Sequence, residues 1–84
     1  MAKPMIITGM DEEYDVHIYC RDCPNLSPSC EVLSLRVVEK ETSNVIYAMP
    51  YQKSGDIAED YQFYQNELIP RAKIWRQEYR AFYV

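Results

Sequence analysis

The sequence predicts an α+β domain, a four-stranded antiparallel sheet (a ββββ meander) packed on a C-terminal helix kinked or broken near Pro70. Three observations carry this. Apolar residues alternate with polar ones in short segments up to residue 51, the period of a half-buried strand. Only turn-like stretches separate those segments, which favours antiparallel neighbours over crossovers. After Gly55 the apolar period changes to three and four, that of an amphipathic helix.

Residues 4–10, "PMIITGM", read as a short strand, with β-branched Ile6, Ile7 and Thr8 following Pro4. After the polar turn Asp11, Glu12, Glu13, the segment 14–20, "YDVHIYC", sets Val16, Ile18 and Cys20 on one face. Asp15, His17 and Tyr19 take the other. Residues 21–29, with two prolines, are a loop. Residues 31–41 place Leu33, Leu35 and Val37 opposite Ser34, Arg36 and Val38. A turn at 42–44 leads to a fourth strand at 45–51, which Pro50 ends or assigns to a sheet edge. Ser54 or Asp56 serves as helix N-cap. The helical stripe then falls at 57, 61, 64, 68, 72, 75, 79 and 82, in phase across Pro70. A straight helix of that length would overhang the sheet, so a bend at Pro70 is expected to wrap its second half back.

The chain of 84 residues is one domain, 1–84, of ordinary globular composition. Its formal net charge of −4 is uneven. Residues 1–70 hold twelve acids and five bases, a balance of −7; residues 71–84 hold four bases and one acid, a balance of +3. The acidic majority disfavours direct nucleic-acid binding, which needs clustered cations, and suits a larger protein with a basic surface. Lys73, Arg76 and Arg80 beside the Trp75–Tyr79–Phe82 stripe read as the solvated edge of a core helix and a complement to its dipole. No run approaches the roughly 20 apolar residues that span a bilayer. No secretory signal opens the sequence, so a soluble cytoplasmic protein is expected, and an odd count of three cysteines fits a reducing compartment.

The single histidine and all three cysteines fall within "HIYCRDCPNLSPSC", residues 17–30. Cys20, Cys23, Cys30 and His17 would be the four ligands of a zinc site, but strand alternation sets His17 and Cys20 on opposite faces. A disulfide from Cys20 or Cys23 to Cys30 competes with the plain reading, in which Cys20 is a small buried hydrophobe and the others are loop residues. A redox pair lacks the helix N-terminus that would lower a thiol pKa. Nucleophilic catalysis lacks an orienting third group, and two glycines make no phosphate loop. The expectation is a non-enzyme without cofactor.

What remains is protein binding. Eight of eleven aromatics are tyrosines, which suit contact surfaces. Asp11, Glu12, Glu13, Tyr14, Tyr19 and Phe63 are the expected partner-binding residues. Phe63 stands off the helical stripe, where exposure would signal a contact or a homodimer seam. The expected function is a module that binds and inhibits or modulates a larger, nucleic-acid-handling protein, of the accessory type carried by phages or mobile elements. The alternative is a zinc-stabilised, nucleic-acid-associated module built on Cys20, Cys23 and Cys30.

Overall fold

The computed structural model describes residues 4–21 and 30–83, with side chains to residue 77. Four strands, β1 (Met5–Ile7), β2 (Tyr14–Cys20), β3 (Val32–Glu39) and β4 (Val45–Gln52), form one antiparallel sheet in the order β1-β2-β3-β4. The helical part follows as α1 (Ile57–Phe63), a π turn (Tyr64–Leu68) and α2 (Ile69–Tyr83). This is the predicted meander and C-terminal helix.

Alternation works as a sorting device. Val16 and Ile18 on β2 stand opposite Val37 and Leu35 on β3, and all four are fully buried. Tyr64, Leu68, Ile69 and Ala72 of the helix complete the layer above them. Each large side chain buried in this way contributes about 1.5–3 kcal/mol. One β-bulge interrupts the β3–β4 ladder, where Val37 pairs with Tyr47 but Val38 with Val45. The extra residue, Ile46, and its neighbour Tyr47 both pack against the core.

β4 is an edge strand, as Pro50 requires. The bond from the Lys53 N–H to the Glu31 carbonyl, 2.9 Å, fixes which positions of β4 bond to β3. Residues 49 and 51 share that parity, so Pro50 turns its missing N–H to the open edge. Together the bulge and the proline blunt this edge against a further strand.

Asp56 is the helix N-cap, its side chain accepting the Ala58 N–H at 3.0 Å. The helix is continuous through Pro70, and the turn before the proline is a π turn. The Ile69 N–H reaches back five residues to the Tyr64 carbonyl, and the wider turn relieves the clash a proline ring makes with the preceding turn. Phase is not kept. The seam runs through 60, 64, 68, 72 and 76, a spacing of four that drifts about 40° per step on an ideal α-helix. The π turn absorbs part of that drift and rotates the later residues. Trp75 is therefore 50% exposed, and Ile57, at the other end of the expected stripe, is 75% exposed. The side chains of Tyr79, Arg80, Phe82 and Tyr83 lie outside the described residues. Among those described, no helix is long and apolar enough to cross a membrane.

Of the readings left open for the cysteines, the disulfide between Cys20 and Cys30 is the one the structure forms, in place of the plain reading of Cys20 as a small buried hydrophobe. Cys20 and Cys30 form a disulfide, with their Cα atoms 6.0 Å apart, joining the end of β2 to the approach to β3. The pairing arises because β2 and β3 bring Cys20 opposite Leu33, so the chain re-enters the sheet close to Cys20. Disulfides persist in oxidising compartments, so the cysteine count gives no support to a reducing one. Cys23 lies outside the described residues.

Closing this loop across a sequence separation of ten restricts the unfolded chain by about 3 kcal/mol. The double variant Cys20→Ser/Cys30→Ser is expected to lose about that much in urea unfolding. Non-reducing tryptic mapping after alkylation is expected to find residues 1–21 linked to 22–36, with the alkyl group on Cys23. An alkyl group on Cys20 or Cys30 would refute the pairing.

Candidate functional site

Two turns meet at one end of the sheet because Tyr14, the first residue of β2, pairs with Glu39, the last of β3. In the first turn the Glu13 N–H donates to the Asp11 carboxylate at 2.9 Å. The second is closed by the Ser43 N–H on the Glu39 carbonyl at 2.8 Å, with Ser43 at φ 60°. The Lys40 N–H donates to the Glu13 carbonyl at 3.0 Å and stitches the two turns into one unit.

The helix arrives at the same corner. Lys73 Nζ lies 2.7 Å from Asp11 Oδ1, and the Arg76 guanidinium binds the Glu39 carboxylate. Burial alone would raise the Asp11 pKa, but the Lys73 ammonium and the Glu13 N–H outweigh it and hold it below the ordinary carboxyl value. The hydrogen bond to Asp11 raises that of Lys73. Between them lies an open cleft of about 480 Å³, its wall formed by Asp11, Glu12, Glu13 and Glu39 against Lys73 and Arg76. Two of its four acids are thus neutralised by the helix. Glu12 and Glu13, with Glu41 on the adjoining turn, are exposed and outside any ion pair among the described residues.

The expected contact residues are dispersed. Asp11 braces the corner, while Glu12 and Glu13 face solvent. Tyr14 is only 4% exposed and serves the core. Tyr19 is half-buried on the sheet face away from the helix, under the Arg36 guanidinium at 4.3 Å. Phe63 is not a free ring, since it stacks on Tyr51 with centroids 4.5 Å apart and packs against the core. The cysteine cluster is divided as well. Cys20 and Cys30 are spent in the disulfide, where they offer no thiolate, and His17 takes the face opposite Cys20. Among the described residues no cluster of three His, Cys, Asp or Glu is placed to hold a metal ion.

A second polar cluster escaped the sequence reading. Asp60, 6% exposed, accepts the Tyr51 hydroxyl at 2.7 Å, the Ser54 hydroxyl at 2.8 Å and the Ser54 N–H at 3.1 Å. Burial would raise its pKa, but the three donors overcome burial and lower it. Burial and the adjoining carboxylate push Tyr51 up to about 12. The available signal was an acid four residues before Tyr64 on the apolar seam, with Ser54 and Asp56 just upstream. A buried carboxylate whose Oδ1 takes three donors from a strand and from the connection to the helix is a structural brace.

Asp60→Asn keeps the shape and removes the charge, and is expected to cost about 2 kcal/mol in unfolding free energy. The folded-state pKa values of Asp60 and Asp11 lie below the unfolded one, so their contribution is complete above the unfolded value. It fades as pH falls through the folded ones. Urea midpoints are expected to be flat from pH 7 to 5 and to drop below about pH 4, with a shallower drop in Asp60→Asn. An equal drop in that variant would remove Asp60 from the acid transition.

No family model matches this sequence, and neither a curated protein nor a solved structure matches it.

Proposed function

We propose that the chain is a small non-enzymatic module that binds a larger protein and modulates or inhibits it, presenting Glu12, Glu13 and Glu41 to a basic groove. The observation that supports this reading is the construction of the acidic corner. Backbone hydrogen bonds lock its two turns together, and Lys73 and Arg76 fix the helix against them. Three exposed carboxylates are therefore held on a stiff support, so little side-chain and loop entropy is lost on docking. Clustered charges of one sign also speed encounter with a complementary surface. A groove that ordinarily holds nucleic acid would be a basic surface of that kind. Size and acidity make the inhibitors carried by phages and mobile elements the nearest analogy, and it is an analogy only.

The test is affinity capture from the source cell with the wild-type chain and with the triple variant Glu12→Gln/Glu13→Gln/Glu41→Gln. All three residues are exposed, so the variant is expected to unfold at the same urea concentration. Loss of three peripheral charges is expected to weaken capture about tenfold and to flatten its salt dependence. Recovery of the same partners at equal yield and equal salt sensitivity would overturn the acidic corner as the contact.

A further inference from the structure

The sheet face turned away from the helix has the opposite electrostatic character. Alternation sets Tyr19 and His17 of β2 beside Ser34 and Arg36 of β3 on that face. The ladder runs one residue past β2, with the Arg21 N–H on the Val32 carbonyl at 3.1 Å, so Arg21 falls on the same face. Asp15, further along β2, has Lys40 at 3.8 Å. Arg21 and Arg36 have no ion-pair partner among the described residues. Arg36 instead lies over the Tyr19 ring. A stacked guanidinium keeps its in-plane N–H donors for a ligand, and Arg with Tyr is the composition of interface anchors.

Spacing limits the ligand. Arg21 is paired with Val32 and Arg36 with His17, so the two cations stand four residues apart along the strands, about 14 Å at 3.4 Å per residue. Between them runs the row Tyr19, Ser34 and Pro50. An extended polypeptide places the side chains of its residues i, i+2 and i+4 on one face over the same distance. We infer that this face docks an extended acidic segment of a protein partner, with carboxylates four residues apart on Arg21 and Arg36 and the apolar side chain between them on Tyr19 and Pro50. This surface is separate from the acidic corner. A nucleic-acid strand is the poorer ligand, because two isolated cations release few counterions and a chain of net charge −4 repels a polyanion.

The probe is an acetylated, amidated heptapeptide, Thr-Glu-Thr-Val-Thr-Glu-Thr, titrated into the ¹⁵N-labelled full chain. Amide shifts are expected to gather at Tyr19, Arg21, Ser34 and Arg36. The peptide with Gln for both Glu is expected to bind at least about fivefold more weakly, and Arg36→Gln and Arg21→Gln to weaken binding similarly. Both arginines are peripheral to the core, and unchanged amide spectra elsewhere would show that the variants fold. The triple variant of the acidic corner is expected to bind the peptide as the wild type does. Shifts centred elsewhere, equal binding of the Gln peptide, or tighter binding of a ten-residue oligothymidylate would each overturn the inference. So would concentration-dependent self-association of the chain through Arg36 with no response to the peptide, which would assign the face to a second copy.

Discussion

The three hydrogen bonds on Asp60 set the rest of the molecule in place. They join the last turn of β4, through Tyr51, to the first turns of the helix, and they hold Ser54 in the connection between the two. With its start fixed there, the helix has one direction open to it, back along the core face toward the opposite end of the sheet. Tyr64, Leu68 and Ala72 then fall over Ile18, Leu35 and Val37, and Lys73 and Arg76 arrive beside Asp11 and Glu39. A buried carboxylate is costly unless donors compensate it, and the need to bring three donors onto Oδ1 gives the brace its specificity. An apolar residue at 60 would leave the Tyr51 hydroxyl and the Ser54 amide without their acceptor, whereas Asn keeps an acceptor oxygen there and loses only the charge.

Among the described residues, one helix on a four-stranded sheet covers one face and leaves the other without a helix over it, and the charges divide accordingly. The acids of the two turns gather at the end where the helix arrives, and among the described residues the helix supplies cations to two of them, Asp11 and Glu39. On the face away from the helix Asp15 is matched by Lys40, and Arg21 and Arg36 have no ion pair among the described residues. A net charge of −4 therefore conceals two surfaces of opposite sign. Under the two proposals above, the acidic corner would meet a basic groove and the sheet face an acidic segment. The sum of the charges could not reveal this; only the strand register could.

Much of the fold was legible because a period of two and a period near four are direct physical requirements of half-buried strands and helices. Pro50 marked the edge strand and Asp56 the cap for equally local reasons. The failures share a different cause. A Cys20–Cys30 disulfide is among the readings the sequence leaves open, and the choice between them depends on where β3 re-enters the sheet, a distance that spacing along the chain does not encode. Trp75 was assigned to the core by extending one helical phase through Pro70, and the π turn that admits the proline rotated it outward. Tyr14 and Phe63 looked like contact residues because a tyrosine at a strand start and a ring off the stripe carry no signal of what will cover them. Asp60 was overlooked because its worth lies in partners that converge only in three dimensions.

Small domains bury too little surface to be held by a core alone, and this one adds fasteners at its two ends. The disulfide and the Asp60 brace secure the end where β2, β3 and β4 meet the helix start. The Lys73 and Arg76 pairs secure the other. None of these fasteners uses Glu12, Glu13, Glu41, Arg21 or Arg36. The charged side chains that fasten the fold and the charged side chains of the two proposed surfaces are therefore different sets. Substitutions on either surface can change partner or affinity without drawing on a small reserve of stability. That separation would let so short a chain present both of the proposed recognition surfaces at once.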